Sequence, residues 1–231
     1  MTTKSRASVL ALVLICMMLS TSSHSASSQP ALFDTCSCTA PDGSCSATIT
    51  CHGNCQKYCG NNDNCWAECS GFYGLLATET SIEISFGTYS QLVSELARIS
   101  GKDISFAKSR PSTEEPEIGI LGFQKAPLWN ALEFLSDRGT VRIGGKDFES
   151  LRRLRKSLLS GERINFGVKN TPVNTFATDL AGLTGLPCHI TSGEPTALAN
   201  VELEQVNLDE IVAEISKRTG TNMVCNNDSG N

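Results

Sequence analysis

The sequence predicts an α+β chain: two tandem small β-α-β-β-α-β domains behind a disulfide-rich segment. Three observations carry this. Apolar residues at helical spacing alternate with short apolar runs. The alternation occurs twice, with glycines at matching places. Eight of the 11 cysteines crowd between Cys36 and Cys69. The 231 residues, 40% hydrophobic and 19% charged, suffice for a packed core.

Residues 1–26 read as an export signal peptide. Lys4 and Arg6 precede an apolar run from Val9 to Leu19, and the small polar stretch STSSHSASS follows. The run is too short for a spanning helix, which needs about 20 residues. Cys16 follows Ile15 rather than a small residue, so it leaves with the signal instead of accepting a lipid. His24 leaves too. Losing Lys4 and Arg6 leaves 17 basic and 24 acidic residues, a net charge of −7. Such a chain does not bind nucleic acid by neutralising phosphates. The expected location is the periplasm or the extracellular space, with no transmembrane segment after signal removal.

Residues 27–70 are the cysteine-rich segment. Cys36, Cys38, Cys45, Cys51, Cys55, Cys59, Cys65 and Cys69 fall within 34 residues. So short a stretch cannot build its own core, but disulfides can hold it. Eight cysteines allow 105 pairings, so connectivity stays open. The three-residue gaps would put sulfurs on one face of a helix. Zinc is the rival reading, through Cys51, His52, Cys55 and Cys59, but the CxxC spacing of structural zinc sites is missing. No metal or cofactor is expected. Tyr58, Trp66, Phe72 and Tyr73 either cover the disulfides or line a recognition face, with Trp66 as the candidate surface residue.

Residues 80–145 and 163–225 form the repeat. Leu92, Leu96 and Ile99 give the first helix its stripe, and Leu128, Ala131, Leu132 and Leu135 the second. Phe176, Leu180 and Leu183 mark the third; Leu208, Ile211, Val212 and Ile215 mark the fourth. Ser90, Pro127, Pro172 and Asn207 punctuate the helix starts. Gly101, Gly139, Gly185 and Gly220 follow the helices, where a left-handed residue often sits. Phe86-Gly87 is matched to Phe166-Gly167, which implies about four extra residues in the second copy near Lys169 to Pro172. Cys188 and Cys225 each lie in a strand returning from a helix. They are expected to pair, leaving an even eight cysteines for the cluster.

The second copy's Asn165-Phe166, Pro172 to Leu183, Gly185, Val201 to Leu203 and Asn207 to Gly220 resemble the short N-terminal (STN) domain of secretins and TonB-dependent receptors. In the first copy Phe86, Leu92 to Gly101, Gly122-Phe123, Lys125 to Leu128 and Gly139 carry the same resemblance. Thr88-Tyr89-Ser90, which has no proline, and the charged loop from Lys108 to Glu117 depart from it. The resemblance implies a protein-binding module of the Gram-negative periplasm, and it carries over no catalytic residues.

Residues 146–162 join the copies as a helix. Leu151, Leu154, Leu158 and Leu159 make an apolar stripe, while Arg152, Arg153, Arg155 and Lys156 make a cationic face. From Asn170 onward eight acidic residues face two basic ones. The linker reads first as an inter-domain helix with a solvated cationic face; the alternatives are contact with an acidic partner, docking on the acidic second copy or, weakly, contact with a membrane surface through residues 151–159. Residues 226–231 form a tail. His189 sits alone in LPCHI, the run Glu114, Glu115 and Glu117 reads as a solvated loop, and no phosphate-binding loop occurs. The expected function is that of an exported, non-catalytic interaction module with an envelope protein as partner. The alternatives are a cysteine-rich ligand or carbohydrate binder with the repeats as scaffold, and an exported redox protein.

Overall fold

The computed structural model describes residues 33–108 and 117–226. The expected signal (1–26, with Cys16 and His24), Glu114 and Glu115, and residues 227–231 of the expected tail lie outside the described residues.

The cysteines sit on strands. β1 (Phe33–Thr39) and β2 (Ser46–His52) form one hairpin; β3 (Cys55–Gly60) and β4 (Asn64–Cys69) form another. Side chains alternate across a strand, so a gap of three residues keeps two cysteines on one face here, as it would in a helix. Cys55 and Cys59 on β3 are bonded to Cys36 and Cys38 on β1. Cys65 and Cys69 on β4 are bonded to Cys45 and Cys51. Four bridges thus staple the first hairpin over one face of the second. The other face carries Gln56, Tyr58, Trp66 and Glu68, all buried. Tyr58 and Trp66 pack there against Tyr73 and Phe72 of α1 (Phe72–Leu76). Trp66 is only 2% exposed, which corrects its assignment to a surface: the cysteines took the outer face and turned it inward.

The repeat follows. Copy one runs β5 (Glu79–Thr88), α2 (Tyr89–Ser100), β6 (Ile104–Lys108), β7 (Glu117–Pro127), α3 (Leu128–Ser136) and β8 (Gly139–Ile143). After β9 (Lys146–Asp147) and α4 (Phe148–Leu159), copy two runs β10 (Ile164–Pro172), α5 (Val173–Thr184), β11 (Cys188–Ser192), β12 (Leu198–Val206), α6 (Leu208–Thr219) and β13 (Asn222–Cys225). In each copy the first strand pairs with the third and the second with the fourth, all antiparallel.

The ladders correct the alignment of the copies. Ile82, Glu83 and Ile84 face Phe123, Gly122 and Leu121; Phe166, Gly167 and Val168 face Leu203, Glu202 and Val201. Ile82, not Phe86, therefore occupies the place of Phe166. The spacing that relates α2 to α5 continues unbroken into the strands, so the second copy has no four-residue insertion. Both ladders also slip one residue beside a left-handed non-glycine, Lys125 (φ 49°) in β7 and Gln205 (φ 54°) in β12. A shared bulge of this kind is a device for bending a strand, and here it marks the two copies as one design.

Helix ends mostly follow the expected chemistry. Thr88, rather than Ser90, caps α2, and its side chain and that of Gln91 each accept the other's backbone N–H. Asn207 and Glu210 do the same for α6. Gly185, at φ 76°, closes α5. Gly139 differs from the expectation. It opens β8, and a Cβ there would lie 2.3 Å from the Ala107 carbonyl oxygen.

The second hairpin joins copy two. β3 pairs with the free side of β10, giving a four-stranded sheet ordered β12-β10-β3-β4. α1 then packs on α5. The contact is close enough that a Cβ on Gly182 would lie 1.8 Å from the Tyr73 carbonyl oxygen. α4 lies against α3, α5, β3, β4 and β8, burying Phe148, Leu151, Leu154 and Leu158. One hydrophobic core therefore runs through both copies, α4 and the inner face of the second hairpin.

Candidate interaction surface

α4 begins at Asp147, whose side chain accepts the Glu149 N–H at 3.0 Å. Its leucine stripe turns inward, so its four cations lie on the flank and outer side. They are not equivalent. Arg152 is tied to Glu133 at 3.5 Å and Asp137 at 3.3 Å around α3, and to Glu149 at 3.1 Å. Arg155 lies over the Trp129 ring, 4.4 Å from its centre. Its guanidinium also crowds the C-terminal end of α5: a Cβ on Gly185 would meet Nη2 at 2.1 Å. That end carries partial negative charge, a favourable place for a cation. Burial pulls the Arg155 pKa below its ordinary value, opposed by the charge of Glu133.

Arg153 and Lys156 are exposed. Arg153 donates to Ser150 Oγ at 3.2 Å. Beyond them Leu159, 47% exposed, breaks the leucine stripe outward. A groove of about 590 Å³ runs along this flank, lined by Trp129, Arg153, Arg155, Lys156 and Leu159 among others. It combines exposed cations, an aromatic-held guanidinium and an apolar step. That combination suits an anionic group attached to an apolar one. Of the expected surface residues, Arg152 is engaged in positioning and Trp66 lies elsewhere, under the Lys146 ammonium. Sequence reading did not single out Trp129 or Leu159 for this site. Linker and second copy do meet where α4 packs on α5 and Arg155 crowds Gly185; the ion pair of Arg163 with Glu210 at 3.1 Å lies within the second copy.

A second cluster was not anticipated. Asp179 of α5 is fully buried and accepts from Gln56 Nε2 at 2.5 Å, Gly71 N at 2.7 Å and Gly74 N at 2.6 Å. Gln56 in turn accepts from the Tyr58 hydroxyl at 3.0 Å. Burial pushes the Asp179 pKa up to about 6, against the pull of its donors. This carboxyl caps the start of α1 from another helix and so locks the cysteine-rich hairpins to copy two. The one sequence signal was an aspartate interrupting an apolar helix face beside Leu180.

All ten cysteines among the described residues are in disulfides, Cys188 with Cys225 included. Cys51, Cys55 and Cys59 each have a different partner cysteine, so they are not gathered around a common centre. His52 and His189 are both exposed. Among the described residues no helix is long and apolar enough to cross a membrane. Comparison of the chain with protein-family models, with curated proteins and with solved structures finds no match.

Proposed function

We propose that this chain is an exported protein-interaction module, similar in design to the short N-terminal domains of secretins and TonB-dependent receptors, whose α4 groove receives an acidic segment of an envelope protein. The observation that carries the reading is the arrangement of Arg153, Lys156 and the Trp129-held Arg155 around exposed Leu159. A protein partner fits it better than a bilayer, because one exposed leucine buries too little apolar area to hold a membrane surface. The five disulfides fit an oxidising compartment. The recurring β-α-β-β-α-β order supports the likeness.

The test uses the mature protein with a photo-crosslinking residue at Leu159. In envelope extract it should capture a defined partner, and Arg153→Glu with Lys156→Glu should abolish capture while leaving the melting temperature unchanged. Higher salt should weaken capture in parallel. Equal capture by the charge-reversed protein, or co-sedimentation with phosphatidylserine vesicles in place of protein capture, would overturn the reading.

A further inference from the structure

The two copies differ in what covers the outer edge of their first strand. On β10 the edge is filled by β3, antiparallel, with Tyr58 opposite Phe166 and Lys57 opposite Gly167. On β5, the counterpart of β10, β7 is the only paired neighbour among the described residues. Among the described residues, one edge thus has its added strand in place and the matching edge has none.

The side chains specify the missing strand. In copy two Lys57 reaches Glu202 of β12 at 2.6 Å, passing over Gly167. Gly167 and Glu202 are direct ladder partners. In copy one the equivalent partners are Glu83 and Gly122, the same two residue types exchanged between strands. A carboxylate stands at this level in both copies, with a glycine beside it to leave room. Glu83 is exposed and the neighbouring Ile82 is buried. A groove of about 720 Å³ lies over the paired strands at this level, lined by Ser81, Ile82 and Glu83 of β5 and Gly122, Phe123 and Lys125 of β7 among others.

The α2 helix limits how much more can dock. α5 offers Asp179 and Gly182 to α1; the matching positions on α2 hold Glu95 and Arg98, an exposed ion pair at 2.5 Å. The carboxylate there already has a partner, and the close-approach glycine is an arginine. Among the described residues no counterpart of α1 seats on that face, so the free edge takes a strand without an accompanying helix.

We infer that β5 is an acceptor edge for an extended strand of another polypeptide, with an apolar or aromatic residue opposite Ile82 and a lysine or arginine opposite Glu83. Main-chain hydrogen bonds supply the attachment and the alternate side chains supply the selectivity. The site is separate from the α4 groove, and either can fail without the other.

The probe is a synthetic peptide copying Cys55–Gly60 with Cys55→Thr and Cys59→Thr, titrated into the intact mature protein. Its own acceptor, β10, is already paired, so binding reports on β5. Amide exchange of alternate residues across Ser81–Ser85 should slow at least about tenfold at saturation. A second peptide with Lys57→Glu should bind about tenfold more weakly, and Glu83→Lys in the protein should reverse that preference. The inference fails if β5 gains no protection, or if protection ignores the charge at position 83. It also fails if the protein alone is a dimer with β5 already protected, because the occupant is then a second copy.

Discussion

Cys188 and Cys225 are bonded across β11 and β13 at the ladder position that Ile104 and Ile143 hold between β6 and β8. Copy one fills this place with two buried aliphatic side chains; copy two fills it with a covalent bond. The bridge closes a separation of 37 residues. Chain entropy assigns such a loop about 4 kcal/mol. Cys188→Ala with Cys225→Ala should therefore lower unfolding stability by about 3–4 kcal/mol in urea titrations. A loss below about 1 kcal/mol would show that copy two relies on its core at this position, as copy one does.

Asp179 gives the protein a pH dependence of definite sign. Its folded pKa of about 6 lies above the usual 3.8, so its favourable contribution is complete below pH 4 and is lost as pH rises through 6. The shift corresponds to about 3 kcal/mol. Asp179→Asn does not titrate. The stability of the wild type relative to Asp179→Asn should fall by about 3 kcal/mol between pH 4 and pH 7.5. A constant difference across that range would mean that the N–H donors offset the burial.

Gly182 and its counterpart Arg98 should respond very differently to alanine. Gly182→Ala drives a methyl into the Tyr73 carbonyl and should cost about 3 kcal/mol, despite the better helix propensity of alanine. Arg98→Ala removes one exposed ion pair and should change stability by under about 0.5 kcal/mol. Thermal unfolding of the two variants decides whether α1 is held by close packing.

Leu96 and Leu180 are equivalent and both fully buried. Leu96→Ala and Leu180→Ala should each cost about 2–5 kcal/mol. Because both copies feed one core, each variant should still unfold in a single transition. Two separated transitions in calorimetry would show copies that fold alone.

The helical stripes and the order of elements were readable in the sequence because burial of one face imposes a period on the chain. The Cys188–Cys225 pair was readable for a related reason, since repeat positions fix strand positions. Matching Phe86-Gly87 with Phe166-Gly167 misled, because an identical dipeptide outweighed strand register, and register is set by partners rather than by identity. The cysteine spacing could not separate helix from strand, since both put such neighbours on one face. The joining of β3 to β10 left no local trace at all. It depends on Asp179 and Gly182 meeting residues more than a hundred positions earlier, and on Glu95 and Arg98 refusing the same contact in copy one.

The four bridges of the cysteine-rich hairpins close among residues 36–69, whereas β10, the strand that covers β3, begins only at Ile164. In a chain that oxidises as it emerges from its N-terminus, these four bridges are complete before the covering strand exists. During that interval the outer side of β3 is a cross-linked, rigid template with unsatisfied main-chain groups, the kind of edge that recruits a neighbouring chain. The order of manufacture makes the maturing protein most vulnerable to mispairing at the seam that later holds it together.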